Sequence, residues 1–302
     1  MRSIAVILAA YNGSTWIQEQ ITSIFAQEGV YITLFVSVDK SSDGTEALVD
    51  NLVSRDRRIV VLPHGLHFGG AAPNFYRLLK DVNFTDFDYI ALADQDDIWL
   101  NNKLSRACDV LATASADAYS SNATAFWSDG RQLLIKKSQS QAKWDFLFEA
   151  AGPGCTYVLS QKLVIEMQRN LMLKWGEVQS IGLHDWLFYA YARANGYQWV
   201  IDDFSGILYR QHAHNQVGVN AGLKAFLHRF NKVISGWGFS QASKISQVVG
   251  LANDAFVKRW SHGNRSGLLY LGLHFYQCRR RFRDKVFFFL SCVLLSVLGK
   301  RK

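Results

Sequence analysis

The sequence predicts an α/β protein built on a doubly wound, mostly parallel sheet. Three observations predict this class. Short apolar segments alternate with segments of helical spacing over the first hundred residues, which is the pattern of parallel strands joined by crossover helices. The apolar segments are continuous, as expected for strands that are buried on both faces. Polar residues cluster directly after these segments, and ligands bind at that edge of such sheets.

Seven elements are predicted in the first hundred residues, beginning and ending with a strand. The four strands are the short apolar runs Ile4–Ala10, Tyr31–Val38, Arg58–Leu62 and Tyr89–Ala93. The first helix, Trp16–Phe25, has apolar residues at helical spacing, and the third covers Asn74–Leu79. The second runs through Leu52, and Ser42 is expected to cap it because a serine oxygen accepts the free amides at a helix start. Residues 101 to about 200 are expected to complete the domain.

Three carboxylates, those of Asp94, Asp96 and Asp97, directly follow the fourth predicted strand. Neighbouring carboxylates repel one another and raise each other's pKa. A divalent cation removes that cost, and Mg²⁺ is commonly held by one or two carboxylates together with substrate phosphates. Polar residues also follow the first two strands, at residues 11–13 and Asp39. The sequence therefore predicts a cation site at this edge of the sheet, with a solvated acidic turn as the alternative.

Several other classes of protein lack their sequence signals. The four cysteines have no C-x-x-C spacing, which argues against a zinc site or a disulfide framework and favours a reducing compartment. The pair Gly69-Gly70 is not followed by Gly-Lys-Ser, so no P-loop is predicted, and no G-x-G-x-x-G follows the first strand. The N-terminus leads directly into an apolar segment without a cleavage-like site, which favours a strand over a signal peptide.

Charge divides the chain into two parts. Residues 1–212 carry 18 basic and 23 acidic side chains, whereas residues 213–302 carry 15 basic and 2 acidic ones. Apolar residues recur at helical spacing from Leu223 to Ile234, with basic residues on the other faces, which predicts a basic amphipathic helix. The basic residues of the tail alternate with long aliphatic stretches, so an anionic membrane surface is the expected partner and nucleic acid is not.

A second apolar segment, Val286–Leu298, lies between the basic clusters Arg279–Arg283 and Lys300–Lys302. A helix of this length spans about 20 Å, whereas the hydrocarbon core of a bilayer is about 30 Å thick. We therefore expect a helix that lies in the membrane surface and is held by basic residues on both sides. The alternative is a helical bundle that packs on the first domain or on a second copy, forming a homodimer.

Several motifs together resemble the family 2 glycosyltransferases. The motifs are the segments Leu8–Gly13, Val38–Thr45, Asp94–Trp99, Gly154–Thr156, His184–Trp186 and Leu208–His212, followed by Asn215. The Asp-Gln-Asp-Asp-Ile-Trp form is similar to the bacterial rhamnosyltransferase-type branch. The resemblance covers about residues 3 to 216. It implies the nucleotide-sugar-binding GT-A fold and transfer with inversion at the anomeric carbon.

The resemblance also implies roles for the residues that match these motifs. Asp185 aligns with the general base. The residues that align with the donor site, among which Asp39 would read the nucleotide base, are Ala9, Tyr11, Asn12, Asp39, Asn74, Asp94, Gln95, Gly154 and Arg210. His184 and Trp186 are expected to contact the acceptor. Asp96 and His212 are expected to hold Mg²⁺ or Mn²⁺.

Each of the later roles has a structural alternative in the residues themselves. Asp185 is expected at the start of an aromatic-rich helix, where the helix dipole keeps an aspartate ionised. The alternative is that it merely caps that helix. His184 would be a core histidine, and Trp186 a buried aromatic. Arg210 would pair with phosphate oxygens, and His212 would bind the metal or the diphosphate; alternatively, both lie in an exposed polar loop.

Two departures from the family's pattern fall in the expected nucleotide pocket. The second motif reads Val38-Asp39-Lys40-Ser41, where the family usually has Asp-Asp-Gly-Ser, so one carboxylate and one glycine are missing. The first motif has Ala10 where the family prefers threonine. The identity of the donor therefore rests on the resemblance to one branch of the family.

The sequence thus leads to one main hypothesis. Residues 1–216 would form a GT-A domain that transfers L-rhamnose from dTDP-L-rhamnose to a lipid-linked glycan of a bacterial surface polysaccharide, O-antigen or capsule. Residues 217–302 would form a helical extension that docks the enzyme on the cytoplasmic face of the cell membrane. The alternatives are UDP-galactose or UDP-N-acetylhexosamine as the donor, or a non-catalytic membrane-anchored protein that binds sugar nucleotides.

Overall fold

The computed structural model describes residues 1–212 and 235–298, in which one sheet of nine strands carries helices on both faces. The strands are β1 Arg2–Ala10, β2 Val30–Val38, β3 Ile59–Val61, β4 Tyr89–Asp94, β5 Ile98–Trp99, β6 Ala118–Phe126, β7 Gln132–Ile135, β8 Val158–Ser160 and β9 Trp199–Arg210. The helices before the gap are α1 Ile17–Phe25, α2 Thr45–Arg55, α3 Ala71–Asp81, α4 Lys103–Thr113, α5 Gln161–Met172, α6 Trp175–Val178 and α7 His184–Ala194. The helices after it are α8 Trp237–Val248, α9 Ala255–Trp260, α10 Arg265–Leu273, α11 Phe275–Cys278 and α12 Phe282–Leu298.

The strands of the described sheet lie in the order β3-β2-β1-β4-β8-β6-β9-β5, and β7 pairs with β6. The first four of these run parallel to one another, and β6 runs parallel to β9. The short strand β8 is antiparallel to both of its neighbours. The predicted α/β class with a mostly parallel sheet is confirmed.

Burial on both faces of the sheet is visible along β1. Ala5 and Ile7 belong to one hydrophobic cluster, whereas Ile4, Val6 and Leu8 belong to a second cluster on the other face. All five residues are at most 1% exposed. A strand that buries every side chain needs a continuous apolar run, which is the pattern that the sequence has here.

The seven predicted elements all form, but the predicted cap of the second helix is wrong. Helix α2 begins at Thr45 and is preceded by Gly44, whose φ of 87° is in the left-handed region that favours glycine. Asp43 Oδ1 accepts hydrogen bonds from the backbone amide and the hydroxyl of Thr45. The amide of Ser42 donates instead to Asn12 Oδ1 at 2.8 Å, and this bond ties the loop after β2 to the loop after β1.

The C-terminal helices share a hydrophobic core with the α/β domain. Val257, Trp260, Leu271 and Cys292 belong to the same buried cluster as Phe188 of α7. These helices therefore pack on the domain, which was the alternative to a purely membrane-docking role. Among the residues that the structure describes, none of the helices combines the length and the apolar composition that a membrane crossing requires.

Several predictions for the C-terminal part fall outside the described residues. The amphipathic helix expected from Leu223 to Ile234, the boundary expected between residues 216 and 217, and Asn215 all lie in the segment 213–234. The terminal basic cluster Lys300–Lys302 follows the last described residue.

Candidate active site

Loops that follow β1 and β2 are bonded to each other at one edge of the sheet. The amide of Asn12 donates to Ser41 Oγ at 3.0 Å, and the amide of Gly13 donates to Thr45 Oγ1 at 2.8 Å. Asn12 has a φ of 45°, a left-handed conformation that asparagine tolerates better than most residues. Tyr11 precedes this turn and is 51% exposed. Tyr11 and Asn12, both predicted to bind the donor, therefore lie at the end of β1 where ligands bind in such sheets.

Asp39 lies at the end of β2 and is buried. Its Oδ1 accepts the amide hydrogen of Phe68 at 2.8 Å, and its Oδ2 accepts that of Gly69 at 2.9 Å. His67 Nδ1 lies 3.3 Å from Oδ1. The carboxylate thus holds the loop 67–69 beside the strand ends. Its predicted role in reading a nucleotide base stays a prediction.

The side chain of Asn74, in α3, links the ends of β1 and β2 by hydrogen bonds. Its Nδ2 donates to the carbonyl oxygens of Ala10 at 3.2 Å and Ser37 at 3.0 Å. The side chain is 2% exposed, and its Oδ1 has no hydrogen-bond partner within the described part of the chain. The amide nitrogen therefore has a structural task, and a donor contact through Asn74 stays a prediction.

Gln95 joins the acidic segment, residues 94–97, to the loop after β1 by two hydrogen bonds. Its Oε1 accepts the amide hydrogen of Tyr11 and its Nε2 donates to the carbonyl oxygen of Tyr11, both at 2.8 Å. A Cβ atom on Gly13 would overlap Gln95 Oε1, so a side chain at this position would displace the Gln95 amide. Ala9, which is also predicted to line the donor site, lies in register with Asp94 on the neighbouring strand.

The three carboxylates after β4 occupy a desolvated site. Burial, together with the charges of Asp96 and Asp185, raises the pKa of Asp94 to about 7. Burial, together with the charges of Asp96 and Asp94, raises the pKa of Asp97. Asp97 Oδ1 accepts the amide hydrogen of Arg210 at 3.2 Å, whereas Oδ2 is buried with no hydrogen-bond partner in the described ranges. The segment therefore concentrates negative charge that the described residues compensate only in part.

Asp96 and His212, the two residues expected to hold a cation, are in contact. His212 Nε2 lies 2.7 Å from Asp96 Oδ2, and the two side chains are 14% and 12% exposed. The imidazole stacks on Trp16 with ring centroids 4.1 Å apart, which fixes its orientation. Trp16 was read from the sequence only as an apolar helix residue, because nothing in the local pattern indicates this long-range stacking.

Arg210 ends β9 and holds the acidic segment in place. Its Nε donates to the carbonyl oxygen of Asp96 at 2.8 Å, and its Nη2 donates to Glu19 Oε2 at 2.5 Å. Its guanidinium also lies 4.6 Å from the ring centroid of Phe126. Arg210 is therefore a buttress of the site, and its predicted contact with the donor phosphates stays a prediction.

Lys103 was not predicted and lies beneath the same segment. It is 2% exposed, and its Nζ sits 3.5 Å from the centroid of the Trp99 ring. Burial lowers its pKa to about 7, while the charge of Asp97 acts in the opposite direction. A lysine at the start of a helix gives no sequence signal for such a position, because burial is a property of the tertiary fold.

Asp185 is the second residue of α7 and faces the acidic segment. Burial raises the pKa of its carboxyl to about 6, opposed by the amide of Trp186, which donates to Oδ1 at 2.8 Å, and by the charge of Lys137. The charge of Asp185 in turn raises the pKa of Asp94. The backbone carbonyl of Asp185 accepts a hydrogen bond from Tyr157 Oη at 3.3 Å. The two carboxylates from distant parts of the chain thus share one site.

His184 and Gly154 are in contact beside Asp185. The His184 ring stacks on Phe75 with centroids 3.9 Å apart, and burial lowers its pKa to about 3, so the ring is neutral. Its Nε2 is buried without a partner among the described residues. A Cβ atom on Gly154 would lie 2.7 Å from that nitrogen and 3.3 Å from Asp185 Cβ. Gly154 therefore leaves the space in which His184 and Asp185 lie.

The structure corrects the placement expected for Trp186. Its indole is 5% exposed, belongs to the hydrophobic core, and donates from Nε1 to the carbonyl oxygen of Phe146 at 2.9 Å. No face of the ring is available for an acceptor sugar to stack on. Asp185 and Trp186 are adjacent in a helix, so their side chains point in different directions, and the buried alternative applies to Trp186.

The side chains at the acidic segment fit a divalent cation. A carboxylate oxygen of Asp96 and an imidazole nitrogen of His212 are already adjacent, and the repulsion among the three carboxylates would be relieved by positive charge. Asp94, Asp97 and Cys155 also bring one ligand atom each to within 4.8 Å of one another. Burial raises the pKa of the Cys155 thiol, so this sulfur stays protonated. The usable donors are oxygen and imidazole, a set that suits Mg²⁺ or Mn²⁺.

Comparison with known proteins connects this site to a family. Residues 5–152 match the family described as glycosyl transferase family 2. The chain is 42% identical over 288 residues to the dTDP-rhamnosyl transferase RfbG of Shigella flexneri. The alignment covers 95% of this chain and 99% of that protein. It is 26% identical over 113 residues to the glucosyltransferase WfaP of Escherichia coli, covering 37% of this chain and 43% of that one.

Solved structures share the fold at low sequence identity. The S. aureus protein TarS, residues 1–349, in complex with UDP-GlcNAc superposes with a TM-score of 0.55 at 13% identity, and the match covers 99% of this chain and 93% of that one. The same part of TarS in a second structure gives a TM-score of 0.56 at 15% identity. The GT-A-like architecture expected from the resemblance is confirmed. With a relative this similar over nearly its whole length, the chain belongs to the family 2 glycosyltransferases and is a glycosyltransferase.

Proposed function

We propose that the protein is an inverting rhamnosyltransferase that moves L-rhamnose from dTDP-L-rhamnose to a lipid-linked glycan during synthesis of a bacterial surface polysaccharide. One observation carries the proposal of catalysis: Asp185 lies against Gly154, and the sulfur of the next residue, Cys155, lies within 4.8 Å of a carboxylate oxygen of Asp94 and of Asp97. The choice of donor is supported by the 42% identity to a dTDP-rhamnosyl transferase, which extends over 95% of the chain and therefore beyond the α/β domain.

In the proposed reaction, Asp185 is the general base. The acceptor hydroxyl oxygen forms a bond to the anomeric carbon while the bond from that carbon to the diphosphate oxygen breaks. The hydroxyl proton passes to the Asp185 carboxylate, and the nucleoside diphosphate leaves with the electron pair of the broken bond. With a pKa raised to about 6, Asp185 is ionised at neutral pH and is a stronger base than an ordinary aspartate.

The acidic segment would hold the divalent cation that the family resemblance implies. Asp96 and His212 are the proposed ligands, since their donor atoms are adjacent. When bound, a divalent cation neutralises the charge that develops on a departing diphosphate. Gln95 ties the segment to Tyr11, and Arg210 donates to the backbone carbonyl of Asp96 while it pairs with Glu19. This bracing keeps the ligands in one arrangement before the donor binds.

The acceptor is proposed to approach from the membrane surface. Helix α12 has exposed apolar side chains that recur on one face, namely those of Phe282, Val286, Leu290 and Val297. Arg283 at its start has a side chain that is 74% exposed. Apolar residues beside basic ones are typical of helices that lie on anionic lipid surfaces. This arrangement supports attachment to the inner face of the cell membrane, where lipid-linked glycan intermediates would be available.

A donor panel tests the proposed function directly. Release of nucleoside diphosphate is measured for dTDP-L-rhamnose, UDP-galactose and UDP-N-acetylhexosamines, in the presence of membranes that contain the lipid-linked acceptor, with and without EDTA. We expect release with dTDP-L-rhamnose that depends on acceptor and is abolished by EDTA. Preferred turnover of a UDP-sugar would replace the proposed donor while retaining the enzyme class. Activity that is unchanged in EDTA would overturn the proposed cation site.

A further inference from the structure

Two arginines of the basic cluster at residues 279–283 point into the protein. Arg280 is 6% exposed as a residue, and its guanidinium is fully buried. The Arg279 side chain is 26% exposed and donates from Nη1 to the carbonyl oxygen of Phe148. By contrast, the Arg283 side chain is 74% exposed. Two of the four arginines that the sequence assigns to a membrane surface, Arg279 and Arg280, therefore bind groups of the protein itself.

Arg280 binds the segment that leads into the active-site loop. Its Nη2 donates to the carbonyl oxygens of Ala150 at 2.7 Å and Ala151 at 3.1 Å. Its backbone amide donates to Glu149 Oε1 at 2.7 Å, and its Nη2 lies 3.5 Å from Glu149 Oε2. Gly154, which contacts His184, follows Ala151 by three residues. The C-terminal extension is thus fastened to the chain immediately before the site.

A buried carboxylate connects Arg280 to α7. Arg280 Nε lies 3.7 Å from Oδ2 of Asp145, which is fully buried. The same Oδ2 accepts a hydrogen bond from Tyr189 Oη at 2.9 Å, and Oδ1 accepts one from Arg193 Nη1 at 3.2 Å. Tyr189 and Arg193 belong to α7, and α7 carries Asp185 near its start. One buried network therefore joins the extension to the helix of the proposed base.

A second route passes through Tyr157. The amide of Ala151, whose carbonyl binds Arg280, donates to Tyr157 Oη at 3.1 Å. Tyr157 Oη is in turn 3.3 Å from the carbonyl oxygens of Gly152 and Asp185. The tyrosine is fully buried. A shift of the segment 150–152 would therefore move the backbone of Asp185 through a chain of hydrogen bonds.

We propose that Arg280 is a positioning residue for the transfer reaction, which fastens the C-terminal helices to the segment Asp145–Ala151 and thereby fixes Asp185 at the site. The inference rests on the proposed role of Asp185 as the base. It gives the extension a part in catalysis that does not depend on membrane contact. Donor-side residues such as Asp39 and Gln95 make none of the bonds of this network, so their geometry would not change.

The test is a double-mutant cycle between Arg280→Gln and Asp185→Asn. A reacting group displaced by about 1 Å can lose about a hundredfold in rate, so Arg280→Gln should lower kcat by about that factor. Donor affinity, measured by titration with the nucleotide sugar, should stay within about twofold, as expected for distant independent sites. In the Asp185→Asn background, the second substitution should have no further effect on transfer. Arg280→Lys, which keeps the charge, should recover part of kcat.

The matched control is Arg265→Gln, because Arg265 is an exposed arginine of the same extension. This variant should retain the kcat of the wild type. Equal losses of kcat and donor affinity, or additive effects of Arg280→Gln and Asp185→Asn, would overturn the proposal. If Arg280→Gln does not fold, Glu149→Gln is measured in the same cycle, since it weakens the same contact from the other side. An inactive wild type would instead refute the proposed reaction, and an active Asp185→Asn single mutant would refute the proposed base.

Discussion

Adding a single methyl group at Gly154 would disturb both His184 and the proposed base, Asp185. Its α-carbon faces the His184 ring, and that ring cannot retreat because it stacks on Phe75. The neighbouring Asp185 Cβ lies 3.3 Å from the position of an added Cβ. The sequence assigned Gly154 to the donor site through the family resemblance alone. The structure supplies the physical reason for a glycine there.

We expect Gly154→Ala to reduce sugar transfer strongly. The added methyl group would push on His184 and Asp185, and overpacking of this kind costs about 1 to 3 kcal/mol of stability. Thermal unfolding and kcat are the measurements. Gly176→Ala is the control, because a Cβ there has nothing within 4 Å. Full activity in Gly154→Ala would mean that the contact with His184 has no importance for the site.

The pH dependence of kcat/KM should follow Asp185. Burial raises its pKa from 3.8 to about 6, so the carboxyl is ionised above that pH and protonated below it. Because a general base acts in its ionised form, kcat/KM should fall about tenfold per pH unit below about pH 6. Since the charge of Lys137 lowers this pKa, Lys137→Gln should move the acid limb to higher pH, whereas Lys136→Gln should not. A limb that stays near pH 4 in all three proteins would contradict this assignment.

At the scale of elements, α12 has two faces with different surroundings. Phe288, Cys292 and Leu295 are buried against the domain, whereas Phe282 and Leu290 are 80% and 56% exposed. The sequence-based prediction of a surface helix rested on its length and on its basic flanks. In the structure this helix has a packed face and an exposed face. The sequence cannot distinguish the two faces, because α12 is apolar all round.

Substitutions on the free face should weaken binding to anionic vesicles. We expect Arg281→Gln combined with Arg283→Gln to lower the vesicle affinity roughly tenfold or more, because each basic residue near such a surface contributes about 1 kcal/mol. Leu290→Ser should also weaken binding, and Leu173→Ser is its control, since Leu173 is 83% exposed on a different part of the molecule. The measurement is co-sedimentation with vesicles of phosphatidylglycerol. Binding that all these variants retain would exclude this face as the docking surface.

The sequence predicts the strands better than it predicts the side-chain contacts of the site, and the reason is physical. The strands β1 to β4 were predicted correctly because buried parallel strands need continuous apolar runs, and such runs are visible in the sequence. The convergence of Asp96 with His212 was implied by the resemblance and is present in the structure. The positions of Lys103, Trp16 and Arg280 could not be predicted. Their surroundings are formed by residues far away in the sequence, and no local pattern records them.

At the scale of the whole molecule, the extension and the α/β domain have one core. Trp260 and Phe256 of α9 lie in the hydrophobic cluster that includes Trp186 and Phe188 of α7. The ring of Phe256 stacks on Trp144 with centroids 4.8 Å apart. The α/β domain and the described helices after residue 234 therefore share one core, and the boundary expected between residues 216 and 217 stays a prediction.

A chain that ends at residue 216 should not retain the stability of the full protein. Removing the extension would expose the core side of α7, and a single large apolar side chain contributes about 1.5 to 3 kcal/mol when it is buried. Differential scanning calorimetry of both chains is the measurement, and we expect the truncated chain to unfold far below the full chain or to aggregate. Matching unfolding temperatures would show that the extension is a separate unit.

The most direct test of the proposed mechanism compares Asp185→Asn with the wild type in two measurements, donor affinity and the rate of sugar transfer. The substitution keeps the size of the side chain and removes the proton acceptor. We expect the nucleotide sugar to bind with an affinity close to that of the wild type while transfer falls by about 10² to 10⁴, the contribution usual for a general base. Transfer at the rate of the wild type would show that the Asp185 carboxylate takes no proton and is not the base.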